Sequence, residues 1–246
     1  MNFSLHLGVN RYDTAVWGPD ADLKGCVHDA LNMAILAKKL GYSKSAILLD
    51  EKATTGAVID FLKDAAKIVR PGETFLLSYS SHGAQVVDRS GEEEDGLDEV
   101  LCLHNGFLYD DELVSLLGRF EEGVMINVVS DTCHSQGQVR FIELPDAILR
   151  PKFLKTLIGG RERLVQRGAM KASVIQYASC LSTEVSWDTD SGGLFTKALL
   201  KIAGEERSRK SASFIDAIRR KVKNQTPTLV LNNASRAHRL KKALTP

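Results

Sequence analysis

Apolar residues along this chain switch between two periods. Short aliphatic runs end abruptly in polar residues, and between them lie longer stretches with an apolar position every three or four residues. The runs predict strands near 3–9, 45–49, 73–80, 124–130, 172–178 and 228–231. The longer stretches predict helices near 24–40, 55–69, 110–119, 193–203 and 212–223. In the first helix Val27, Ala30, Leu31, Ala34, Ile35, Ala37 and Leu40 form one stripe, which Gly41 ends. Thr54 and Thr55 have the side chains of an N-cap for the second. Asp110-Asp111 suits the start of the third, where carboxylates meet the positive end of the helix dipole. Alternation of this kind predicts an α/β fold, with a mostly parallel sheet of six strands and helices on both faces.

Two segments break the alternation. Residues 83–99 read as a glycine- and acid-rich loop, and residues 135–171 scatter Pro145, Pro151, Gly159, Gly160 and Gly168 among basic side chains, the composition of a mobile stretch. The strand at 172–178 resumes the earlier pattern, so 1–246 is read as one domain. It has a larger part to about 149, a basic segment over 150–171 and a smaller part over 172–246.

Composition narrows the picture. With 246 residues, 43% hydrophobic and 26% charged, the chain can bury a full core. A net charge of +1 makes no electrostatic case for nucleic acid or membrane as a partner. No apolar run approaches the roughly 20 residues that span a bilayer, and the first residues alternate like a strand rather than a signal peptide. Cys26, Cys102, Cys133 and Cys180 lack the spacing of a disulfide framework, which points to a reducing cytoplasm.

The candidate chemistry lies at two strand ends. Val128-Val129-Ser130-Asp131-Thr132-Cys133 puts a thiol where a buried strand opens, and Leu76-Leu77-Ser78-Tyr79-Ser80-Ser81-His82-Gly83 does the same with a histidine. Functional groups in open α/β sheets gather beyond the carboxyl ends of the strands. Neighbouring strands would bring His82 and Cys133 together, as the base and nucleophile of a thiol peptidase. The N–H groups of Gly83 and Cys133 would then hold the oxyanion.

The same words resemble a known family. Tyr79-Ser80-Ser81-His82-Gly83 and Asp131-Thr132-Cys133-His134-Ser135 are similar to the histidine and cysteine boxes of metacaspases and bacterial caspase-like peptidases. The separation of 51 residues between His82 and Cys133 is close to the caspase spacing. Leu23-Lys24-Gly25-Cys26-Val27-His28-Asp29-Ala30 resembles the family's first helix start. Ala178-Ser179-Cys180, Gly193-Leu194-Phe195-Thr196 and Gln225-Thr226-Pro227 resemble its small-subunit signatures. Ser81 and Gln136 stand where the family has glycine.

The resemblance implies a three-layer caspase-like fold and a cysteine endopeptidase, working as a monomer on protein or peptide substrates. It assigns Cys26, Asp29, Ser80 and Asp131 to an acidic pocket for Arg or Lys before the cut, and two carboxylates facing one guanidinium suit that task. It also implies calcium as an activator rather than a reactant. Asp98, Asp110 and Asp111 match three of the calcium ligands; Arg140 stands at the fourth position, where a cation opposes calcium unless Glu143 or a backbone carbonyl substitutes. Self-cleavage within 150–171 would use Arg150, Lys152, Lys155, Arg161, Arg163, Arg167 or Lys171.

Plainer readings stand beside these. Cys26 packs, Asp29 caps a helix, Asp131 forms a turn, and the tail from Arg236 to Lys242 is a solvated end. A zinc site from Cys26, His28, Cys133 and His134 lacks the paired clip such sites use. Two other functions compete with the peptidase. One is a pseudo-peptidase acting as a binding module, and the other is an acyl-transferring thiol enzyme without preference for Arg or Lys.

Overall fold

A computed structural model describes residues 1–87, 97–133, 170–181, 186–187, 189–205 and 209–246, with the backbone alone at 87, 97 and 133. The main sheet contains β1 (Phe3–Gly8), β2 (Lys44–Leu49), β3 (Thr74–Val87), β6 (Met125–Cys133), β7 (Ser173–Ala178) and β8 (Thr228–Asn232), in the order β2-β1-β3-β6-β7-β8. All neighbours run parallel except β8, which lies antiparallel to β7. This is the mostly parallel six-stranded sheet expected.

Helices α1 (Thr14–Trp17), α2 (Cys26–Leu40), α3 (Thr55–Ile68) and α4 (Asp110–Leu117) belong to the first half, and α5 (Leu194–Ala203), α6 (Ser211–Arg219) and α7 (Arg236–Leu240) to the second. Strand residues alternate between two cores. Leu77, Ile126 and Val128 pack with Val58 and Leu62 of α3 and Leu116 of α4. Leu76, Val129 and Tyr177 pack on the other face with Met33 of α2, Phe195 and Leu199 of α5, and Phe214 of α6. The period of two sends successive side chains to opposite layers, and helices cover both.

Two expectations change. Residues 83–87 continue β3, and β4 (Leu97–Leu103) pairs back on them antiparallel before turning into β5 (Gly106–Tyr109). The expected loop over 83–99 is therefore strand at 83–87 and 97–99, and residues 88–96 lie outside the described residues. The C-terminal tail is not a solvated end. Ser235 caps α7 through the His238 N–H at 3.1 Å, and His238 is 3% exposed. Its Nε2 meets Asn127 Oδ1 at 3.2 Å and its Nδ1 meets Ser173 Oγ at 3.0 Å, which ties the tail to β6 and β7. Arg140, Glu143, Gln136 and the basic segment up to residue 169 lie outside the described residues.

Candidate active site

The two central strands carry the site. In the β3–β6 pairing Ser80 is opposite Asp131 and His82 is opposite Cys133. Paired strands run about 4.8 Å apart, and partners in register point to the same face. Residues two apart along a strand also share a face. Ser80, His82, Asp131 and Cys133 therefore occupy one square of backbone positions at the carboxyl end of the sheet. The side chain of Cys133 lies outside the described atoms.

His82 is held from two sides. Its backbone N–H donates to Tyr12 Oη at 2.9 Å, and the two rings lie 5.2 Å apart. Its Nε2 is 2.8 Å from the carbonyl oxygen of Ala21. A carbonyl only accepts, so Nε2 carries the proton and Nδ1 is the basic nitrogen of the neutral ring. The ring is 2% exposed, and a backbone carbonyl does the orienting that a carboxylate does in many catalytic triads. Gly83 follows on β3 opposite Leu101.

The acidic residues come from three elements. Cys26 opens α2 and Asp29 sits in its first turn. At Gly8, where β1 ends, an added Cβ would stand 2.5 Å from the Cys26 carbonyl oxygen, so glycine there lets α2 approach the sheet. Cys26 and Asp29 are each 2% exposed. Asp29 Oδ2 accepts from Ser80 Oγ at 2.9 Å, and the Gly193 N–H donates to both Asp29 oxygens at 3.0 and 3.2 Å. Asp131, 3% exposed, accepts on Oδ1 from Ser186 Oγ at 2.7 Å. On Oδ2 it accepts from the Thr196 N–H at 3.2 Å and from Thr196 Oγ1 at 2.8 Å.

Both acids thus meet the amino end of α5, whose N-cap is Gly193. Unpaired N–H groups and the helix dipole make that end attractive to anions. Gly193 passes between the carboxylates so closely that a Cβ there would collide with Asp131 Oδ2. Asp29, Ser80 and Thr196 line a cavity of about 10 Å³, room for roughly one water. Cys26, Asp29, Ser80 and Asp131 are buried together on this side of the sheet. Tyr12, Ala21, Ser186 and the positioning contacts of Gly193 and Thr196 are additions that no side-chain motif announces.

Asp98 lies on β4 and Asp110 and Asp111 open α4, and Asp110 lines a cavity with Tyr79, Ser130, Thr132 and Cys180. Burial pushes the Asp110 carboxyl up to about 6, and Asp111, Glu99 and Asp98 add to the rise by charge repulsion. Among the described residues no group of three or more His, Cys, Asp or Glu side chains could hold a metal ion. The carboxylates are close enough to repel but do not form a three-ligand site as arranged. Burial also pushes the Cys102 thiol up, which keeps it protonated and unreactive.

Known proteins fall in line with this geometry. A family model described as the caspase domain matches residues 2–239. The crystal structure of protein GSU0716 from Geobacter sulfurreducens superimposes with a TM-score of 0.86 at 33% identity, covering 100% of this chain and 99% of that one. Metacaspase-1A from Aspergillus fumigatus is 30% identical over 146 residues, 54% of this chain and 34% of the fungal protein. Metacaspase-1 from Kluyveromyces lactis is 29% identical over 146 residues, 54% of this chain and 33% of its own. The match spans about a third of the length of these curated relatives. With that family model matching nearly its whole length, this chain belongs to the caspase domain family of cysteine peptidases.

Proposed function

We propose that this chain is a cysteine endopeptidase that cuts after arginine or lysine with a His82–Cys133 dyad. The observation that carries the reading is the register of β3 on β6, which aligns Ser80 with Asp131 and His82 with Cys133. Nδ1 of His82 takes the thiol proton, and the thiolate attacks the scissile carbonyl carbon. The N–H groups of Gly83 and Cys133 receive the oxyanion. The imidazolium then gives its proton to the leaving amine as the C–N bond breaks. Water, deprotonated by the same ring, cleaves the thioester and returns the thiol. Throughout, the Ala21 carbonyl keeps the ring oriented and steadies its positive charge through Nε2–H.

Specificity follows from Asp29 and Asp131. Two buried carboxylates favour a cationic side chain over an anionic one. The same preference would let the enzyme cut itself within 150–171. Mass spectrometry of incubated wild type and Cys133→Ala tests this, and a wild type that stays uncut while fully active sinks it. The working unit in this reading is a single chain in a reducing compartment.

A second reading has its own observation. Gly193 and Thr196 already engage both acids, and the cavity beneath is small, as expected of a dormant site or a binding module. An arginyl chloromethyl ketone separates the two. Stoichiometric alkylation of Cys133, slower with an aspartyl reagent, supports the peptidase. Absence of labelling in folded protein supports the module.

A further inference from the structure

We propose that Thr196 and Ser186 are positioning residues for substrate selection, holding Asp131 in the orientation in which it receives a basic side chain. This rests on the Arg/Lys reading above. At 3% exposure Asp131 has almost no water to satisfy it, so the protein sets where its oxygens point. Ser186 Oγ fixes Oδ1 at 2.7 Å, while Thr196 Oγ1 and N–H fix Oδ2 at 2.8 and 3.2 Å. With each oxygen fixed by a different element, rotation of the carboxylate would break a charge-assisted bond.

The support is layered. Ser186 and Thr196 are 2% and 1% exposed, so their hydroxyls have no solvent alternative. Behind Ser186, Gln225 Nε2 donates to Ser186 Oγ at 3.4 Å and to the Ser179 carbonyl at 3.0 Å. Its Oε1 accepts the Trp187 N–H at 3.2 Å. Gln225 therefore fixes the short segment that carries Ser186. Asp131 lies two residues before Cys133 on β6, so its orientation sets how tightly a basic side chain is held beside the cut site.

The experiment compares wild type, Thr196→Val, Thr196→Ser and Ser186→Ala in two backgrounds. Binding of an acetylated peptide amide containing a single arginine is measured by calorimetry in full-length Cys133→Ala. Turnover of the matching fluorogenic peptide is measured with Cys133 intact. Losing one charge-assisted hydrogen bond of about 1.5 kcal/mol weakens binding about tenfold. Thr196→Val is expected to raise Kd and KM by about that factor with kcat little changed, and Thr196→Ser is expected to restore both. Tight arginine binding that Thr196→Val and Ser186→Ala leave unchanged overturns the positioning role while the Arg/Lys reading stands. A wild type that does not bind the arginine peptide overturns that reading and this proposal with it. A merely structural defect would lower kcat and melting temperature together, without rescue by serine, and would also overturn the proposal. Ser186→Ala, outside the helix, decides the matter if Thr196→Val does not fold.

Discussion

At the scale of single residues, the ring of His82 owes its usefulness to two oxygens. The Ala21 carbonyl assigns the proton to Nε2, and Tyr12 Oη accepts the His82 backbone N–H in a site closed to solvent. Tyr12→Phe leaves that N–H without its partner, a loss of about 1–3 kcal/mol. We expect a lower melting temperature and a lower kcat with KM nearly unchanged; unaltered kcat would show that the Tyr12 contact does not position the base. Gly193→Ala puts a Cβ against Asp131 Oδ2. It should raise KM for Arg peptides more than Tyr12→Phe does, and equal KM values would mean the turn is not part of the pocket. Legibility divides along the same line. In the proposed reaction His82, Cys133, Asp29 and Asp131 act through their side chains, so their residue types at strand and helix ends point to them. Ala21 acts through its carbonyl and Gly193 through a missing side chain, and neither contribution is written in residue chemistry.

At the scale of elements, α5 does more than cover the sheet. Its amino end gathers two buried carboxylates from α2 and β6 and so joins the two halves of the chain at the site. The strands and helices with clean periods lie within a few residues of their expected bounds, except β3, which was expected to end at 80 and continues to Val87. The β4–β5 hairpin was not expected, because Asp98 and Glu99 sit in a run of acids that looks like loop, although Leu97, Val100, Leu101 and Leu103 are strand residues. Helix α7 was missed for the complementary reason, since its basic side chains hide its one buried residue, His238. Near the hairpin, the Asp110 carboxyl raised to about 6 marks an ionised form the fold disfavours. The penalty is absent well below pH 4 and present above about 6. Asp110→Asn should therefore melt higher than wild type at pH 8, with the gain shrinking as pH falls. A calcium ion held here would raise the melting temperature of wild type and not of the variant; identical responses remove calcium from the account.

At the scale of the whole molecule, the buried rings of His6 and His238 contribute to acid sensitivity. Burial lowers both His6 and His238 to about 4, from an ordinary value near 6.5. His6 lies between Ser78 Oγ at 2.7 Å and Ser4 Oγ at 3.0 Å, with no carboxylate among those partners to steady a charge. The unfolded chain takes up these protons first. Stability is then unaffected by these groups above about pH 7 and falls as pH drops from 6.5 toward 4, by about 3 kcal/mol for each histidine. Denaturant titrations at pH 7 and pH 4.5 check this, and a flat profile would mean both rings are charged or solvated in the fold. Among the described residues no helix is long and apolar enough to cross a membrane.

The central claim is that the square on β3 and β6 cuts peptides after basic residues. The most direct measurement is hydrolysis of matched fluorogenic peptides ending in Arg, Lys or Asp by wild type and Cys133→Ala. Cleavage of the Arg and Lys peptides by wild type alone is the result expected. Cleavage of the Asp peptide, or Arg cleavage that survives Cys133→Ala, would contradict it.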